Sequence, residues 1–396
     1  MKLLKVYFDH LKMFENGTLE IDLYAADKVP SSDESAFRLD GSLYSNNLVA
    51  LAGINASGKT TTLNLIDLVC DIINGAPINQ SGLSNQMPGL FDGETMFRCA
   101  FHHGKGVYLI ESHIGANSPT LSHTAGEGFR FQEETLSFVP ISNFKKMMLR
   151  DWDALRVAAK RVACRSDVEA PWSTFLSDDM SIVAPALASA VGGRVHVATF
   201  WDMGRPRFAE TDSGSLADIM RVFDQRIERF EVGDNGRVFA LGFKGREPMV
   251  LSTDGLNEIL SSGTLRGLAL VQQSALALKH GGYLFADELE NHLNRQLVNV
   301  VIDLFASAST NPHGATLVFT THYPQLLDSV HRKDNVYFLA RGELGGMAPV
   351  KYSDRVNRIE NKKSEVFASN FIKGTAPRYT DVNALKAIVR KSVVDE

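Results

Sequence analysis

Short runs of apolar residues, unbroken or alternating with polar ones, mark residues 3–8, 19–24 and 48–52 as strands. A polar stretch over 29–45 interrupts them. A glycine-containing turn follows residue 52, and apolar residues recur at helical spacing over 60–73, so the local order is strand, loop, helix. Residues 96–100 and 107–110 flank a segment carrying Gly104 and Gly106, which predicts a hairpin. From about 144 to 230 the spacing turns helical, with 149–164, 183–191 and 215–230 as candidate helices and Pro171 and Pro206 as breaks. No sustained heptad repeat runs through this stretch, which predicts an inserted helical lobe and no coiled-coil arm. Beyond 240 the order is helix 264–279, strand 283–286, helix 295–308, strand 316–320 and strand 336–340. Such alternation predicts a parallel sheet with crossover helices. The chain reads as α/β with a mixed sheet and an antiparallel β subdomain: an N-terminal half (1–140), the helical lobe (141–235) and a C-terminal half with a tail (236–396).

Composition narrows the partners without naming one. A chain of 396 residues, 44% hydrophobic and 22% charged, can bury a substantial core. Its formal net charge of -5 exerts no global pull on nucleic acid or anionic membrane, so such binding would need a local basic patch. Cys70, Cys99 and Cys164 are far apart and lack C-x-x-C spacing, which argues against a disulfide framework or a zinc site and points to the cytoplasm. The first residues, M-K-L-L-K-V-Y-F-D-H, lack the apolar core of a signal peptide, and no window is apolar enough for a membrane span.

Chemistry concentrates in a few segments. Gly53-Ile54-Asn55-Ala56-Ser57-Gly58-Lys59-Thr60 is a full G-x-x-x-x-G-K-[ST], set between a predicted strand and a predicted helix. Glycines let the backbone curl until successive N–H groups point at a phosphate, and the helix start adds its positive dipole end. Gly53, Asn55, Ala56, Ser57, Gly58, Lys59, Thr60 and Thr61 are therefore the candidate phosphate-binding residues, with Lys59 reaching the β- and γ-phosphates and the Thr60 hydroxyl ligating Mg²⁺. Gly282-Tyr283-Leu284-Phe285-Ala286-Asp287-Glu288 is an apolar strand ending in two acids. Such a strand delivers Asp287 to the sheet edge where it can hold the Mg²⁺ shell, leaving Glu288 to polarise water. In Leu260-Ser261-Ser262-Gly263-Thr264, a serine and a glycine open a long apolar-periodic helix, which makes a second anion site.

At this last segment the chain resembles the ABC ATPases, whose L-S-G-G-Q signature it matches in the S-x-G-T form of the SMC, RecF and OLD branch and its stand-alone relatives. The resemblance covers roughly residues 1–140 and 240–345 and implies an ABC-type P-loop NTPase head. It implies that Ser261, Ser262 and Gly263 touch the γ-phosphate of an ATP held by another subunit, and hence a homodimer or higher homo-oligomer with shared sites. Leu317-Val318-Phe319-Thr320-Thr321-His322 resembles the strand that carries the family's switch histidine, which makes His322, with Glu288 and Lys59, a candidate catalytic residue. Glu290-Asn291-His292-Leu293-Asn294 stands in the place of the D-loop. The Q-loop glutamine is Gln132 or Gln86, and an adenine-stacking aromatic is Tyr7 or Phe14.

The lobe contains Lys145, Lys146, Arg150, Arg156, Lys160, Arg161 and Arg165, opposed by Asp151 and Asp153. This is a solvated face, or else a contact for DNA phosphates or an acidic partner. Residues 341–396 show no clustered acids, so the Toprim nuclease that OLD relatives carry is not expected. The expected function is that of a cytoplasmic ATPase whose heads dimerise around ATP and Mg²⁺ and control a separately encoded effector, a nuclease or toxin. Stand-alone ATPases of bacterial anti-phage systems work in this way. The alternative is a RecF-like repair ATPase that clamps DNA.

Overall fold

Unbroken apolar runs such as Leu48-Val49-Ala50-Leu51-Ala52 need cover on both faces, and the fold provides it. The structure is a computed structural model that describes residues 1–117, 128–167, 176–188, 194–201, 206–208, 213–342, 345–356, 362–376 and 379–394. Among these, β1 (Lys2–Leu11), β2 (Leu19–Asp22), β3 (Leu48–Gly53), β4 (Phe91–His103), β5 (Gly106–Ala116), β6 (Phe129–Pro140), β7 (Lys160–Cys164), β8 (Val197–Phe200), β9 (Tyr283–Ala286), β10 (Thr316–Thr321), β11 (Val336–Arg341) and β12 (Met347–Lys351) form two sheets. One is antiparallel throughout, in the order β2-β1-β4-β5-β6-β7. The other, β8-β9-β10-β3-β11-β12, is parallel except at β12, so the architecture is mixed α/β.

Side chains of the parallel strands sort by the two-residue period. Val49, Leu51, Phe285, Val318, Tyr337 and Leu339 join a core shared with α1 (Lys59–Asn74) and the antiparallel sheet. Leu48, Ala50, Leu284, Phe319, Val336 and Phe338 face the opposite way, where α2 (Ser262–His280) and α3 (Arg295–Ala306) supply Leu270, Val298, Ile302 and Phe305. Local signals set the helix ends. Ser261 and Asn294 cap α2 and α3 by accepting from Thr264 N and Gln296 N, and Gly75 and Gly281 end α1 and α2 in the left-handed region.

The hairpin over 96–110 is present as β4 and β5, longer at both ends than the sequence pattern suggested. Two expectations need correction. The polar stretch over 29–45 holds a hairpin, Ala36–Asp40 with Leu43–Asn46, turning at Gly41. The described residues of 141–235 do not form an all-helical lobe: the expected helix 149–164 is a 3-10 turn, the short helix Trp152–Ala158 and then strand β7. β7 pairs with β6, and β8 from the same segment joins the parallel sheet beside β9. Helix 215–230 becomes Ser213–Phe223 followed by strand Ile227–Gly233, which opens a three-stranded meander with Val238–Phe243 and Met249–Ser252. Of 183–191 only Val183–Leu187 is helical, 189–191 and Pro171 lying outside the described residues. Helical spacing failed here because these edge strands are short, and their pairing is set by distant neighbours rather than by an apolar period of their own. No helix among the described residues is long and apolar enough to cross a membrane.

One buried ion network holds the corner between β10 and β11. Arg332 donates to both carboxylate oxygens of the fully buried Asp334 at 2.8 and 2.6 Å and to Asp33 at 2.8 Å, and Asp334 also accepts from Asp27 N. Removing one member of such a network strands the others without compensation. Arg332→Met is expected to lower stability by about 3–5 kcal/mol in urea unfolding followed by circular dichroism; a loss under about 1 kcal/mol would show that the network is not structural.

Candidate functional site

Parallel strands end on the same side, so β3, β9 and β10 bring residues 53–60, 287–288 and 322 to one edge. There the loop after β3 turns through Ala56 (φ 57°) and Gly58 (φ 89°) before α1 begins. Gly58 has no alternative: a Cβ would strike the Sδ of Met347 from β12, and its φ lies where side chains are strained. Arg341 donates to the carbonyl of Ala56 at 3.1 Å, so β11 and β12 brace the loop from behind. Asn55 and Ala56 are exposed, whereas the Ser57 Oγ is buried without a hydrogen-bond partner.

The charged groups form a connected set. Lys59 is buried; its Nζ donates to the carbonyls of Gly53 and Ile54, both at 3.0 Å, and lies 3.2 Å from His322 Nδ1. Burial pulls its pKa down to about 8, against the opposing pull of Glu288, Asp287 and Glu290. His322 Nε2 lies 2.9 Å from Glu288 Oε1, and its backbone N donates to Glu290 Oε1 at 2.6 Å. Thr60 donates to the Asp287 carboxylate at 2.9 and 3.1 Å, and Thr320 donates to it at 2.6 Å. The Thr320 oxygen also accepts from Glu288 N at 2.7 Å. Glu288 itself sits at φ 47°, a left-handed conformation that turns its side chain away from the strand direction.

The sequence candidates thus fall into two groups. Lys59, Thr60, Asp287, Glu288 and His322 are joined by direct contacts. Ser261, Ser262 and Gly263 lie at the start of α2, where both serines are exposed and a Cβ on Gly263 would meet the His292 carbonyl of the 290–294 loop. Ser261 Oγ accepts from Thr264 N at 3.1 Å and lies 2.8 Å from Thr264 Oγ1, so within one chain it serves as a helix cap. Glu290, singled out only as part of the 290–294 segment, meets the site through the His322 backbone, and Thr320, Arg341 and Met347 were not singled out. Only Thr320, polar at the end of an apolar strand, carried a sequence signal.

The remaining alternatives separate. Gln132 lies on β6 in an open groove with Glu94, Arg130 and Arg165, apart from Asp287. The segment just before Gln86 does reach the site: Ser81, Gly82 and Leu83 line a cavity of about 420 Å³ together with Thr60, Asp67, Asp71, Trp201 and Asp287. Phe14 is buried and bridges to Met347 against the loop, whereas Tyr7 lies 6.3 Å from the Trp152 ring on the antiparallel sheet. Of the basic residues at 145–165, Arg156 pairs with Glu111 and Asp153, Arg161 with Asp167, and Arg165 with the buried Glu134. Lys146 is spent on the carbonyls of Ala25 and Asp27.

The chemistry available is that of oxygen and nitrogen donors that could hold a small hard ion and an anion. The Thr60 hydroxyl and the Asp287 carboxylate suit Mg²⁺, which prefers a few protein oxygens and takes the rest from phosphate and water. Among the described residues no cluster of three or more His, Cys, Asp or Glu side chains could hold a metal, so thiolate or imidazole cages are not offered. No protein-family model matches the chain, and no curated protein matches its sequence.

Asp67, in the cavity beside Asp287, is held protonated up to about pH 7 by burial and by Asp71, against an ordinary 3.8. Below about pH 4 both folded and unfolded chains carry this proton, so nothing is lost. Between about 4 and 7 the unfolded chain releases it first, and stability falls as pH rises. Asp67→Asn is therefore expected to leave stability unchanged near pH 4 and raise it by up to ~3 kcal/mol at pH 8, in thermal unfolding without nucleotide or Mg²⁺. A gain independent of pH would contradict this.

Proposed function

We propose that this chain is an ATP-binding and ATP-hydrolysing P-loop ATPase of ABC type, whose heads pair around ATP and Mg²⁺ to switch a separately encoded effector. The contact of the Thr60 hydroxyl with the Asp287 carboxylate carries the reading, because a G-x-x-x-x-G-K-[ST] loop and an acid-tipped strand meet there although far apart in sequence. Thr60 and Asp287 would hold Mg²⁺, which when bound offsets charge on the β- and γ-phosphates. Lys59 would neutralise phosphate oxygens by exchanging its carbonyl partners for them. Glu288 would take a proton from water, a role supported by its 2.9 Å contact with His322, which also spans toward Lys59.

Exposed Ser261 and Ser262 support the shared-site part of the proposal, since a second head can reach them. Closure of one head on the other would then require ATP in place, so nucleotide shifts the population toward the closed state that holds or frees the effector. A nuclease or toxin, as in anti-phage systems, is the effector class that the family resemblance suggests. The DNA-clamp alternative draws less support, because Arg156, Arg161, Arg165 and Lys146 are engaged within the chain.

Glu288→Gln should retain ATP binding, lose turnover by about 10²–10⁴-fold and, with ATP, form a dimer that withstands dilution in light scattering where the nucleotide-free chain dissociates. Lys59→Ala should fail to bind ATP in equilibrium titration. Turnover that persists in Glu288→Gln would remove it as the water-activating group, and specific activity unchanged down to dilutions at which light scattering shows a monomer would remove the shared site.

A further inference from the structure

Helix α4 (Tyr379–Val394) covers none of the body: every side chain from Tyr379 to Val393 is exposed. Among them Leu385, Ile388 and Val393 are 61%, 66% and 70% accessible, and Val382 and Val389 are also exposed. A single helix of this length is marginal in water, because the few hydrogen bonds it closes barely offset nucleation. Its apolar residues therefore mark a face that requires a partner.

The spacing identifies which partner. Val382 and Val389 stand one heptad apart with Leu385 between them, which puts β-branched residues at a positions and leucine at d. Ser392, at the next d position, ends the stripe. We propose that α4 pairs, parallel and in register, with α4 of a second copy of this chain. Valine at a with leucine at d is the combination that favours two parallel strands.

Charge agrees with that occupant. Asp381 falls at g and Lys386 at the following e, and in a parallel pair each g position lies beside the next e position of the other helix. Symmetry then gives the Asp381–Lys386 contact twice, and Ile388 meets Val393 on the same flanks. An antiparallel pair sets e against e and g against g, and loses both ion pairs. A foreign helix would have to bring a matching acid and base, whereas α4 carries its own complement. This pairing is independent of nucleotide and of the ATPase reading.

The test uses the whole 396-residue chain carrying Cys164→Ser, with Cys70 and Cys99 left in the core, and no nucleotide. Single substitutions Val382→Cys, Val389→Cys, Asn383→Cys and Ala387→Cys are oxidised mildly and resolved by non-reducing electrophoresis. Val382→Cys and Val389→Cys should each give linked dimer at least ten-fold faster than the two outer-face variants. Adding Asp381→Lys to Val389→Cys should slow the reaction, and adding Lys386→Asp as well should restore it. Equal rates at inner and outer positions, or linkage only on mixing Val382→Cys with Val389→Cys, would overturn the proposal. No linkage at any position would overturn it too, leaving α4 to a different protein. All these positions are exposed, so unchanged thermal unfolding verifies that the folded head is intact.

Discussion

The Asp287 carboxylate is the point on which this edge of the molecule depends. It leaves a fully buried strand and is met by two hydroxyls, Thr60 from the first turn of α1 and Thr320 from β10. Three segments distant in the sequence are thereby pinned to one group. That convergence is a consequence of strand direction: β3, β9 and β10 are parallel neighbours, so their C-terminal ends cannot be elsewhere than together. Reversing any one of them would carry its polar residues to the opposite rim.

Some conformational cost falls at the same place. Glu288 and Ala56 adopt left-handed backbone without being glycine, and Lys59 is buried with a depressed pKa. Such conformations persist only where neighbours over-determine them, and each costs on the order of 1–3 kcal/mol. Here the neighbours are identifiable: Thr320 receives the Glu288 N–H, and Arg341 and Met347 press on the loop.

How much of this was legible beforehand follows from how far each signal reaches. The loop around Lys59 and the strand ending at Asp287 are local patterns, and the fold places both where their spacing implied. The contacts between them are not local. Thr320 and Glu290 bear on the site only because the strand order is β9-β10-β3, which no window of sequence encodes. Residues 160–164 and 197–200 misled for a related reason: each completes a sheet whose other strands lie far away, so their apolar content is set by a neighbour and not by an internal period.

The start of α2 shows what one chain leaves unfinished. Because α2 runs into β9 through Gly281, its N-terminus lies on the site's side of the sheet, next to His292. Yet Ser261 spends its oxygen on its own helix and faces solvent. Under the proposed reading a second head supplies what Ser261 would touch, and closure must then be favoured over dilution. A pair of α4 helices would turn that encounter from bimolecular to intramolecular, raising the effective concentration of one head near the other. Weak pairing at the tail and nucleotide-dependent closure at the head would then reinforce each other without sharing a residue, and either could be altered while the other persists.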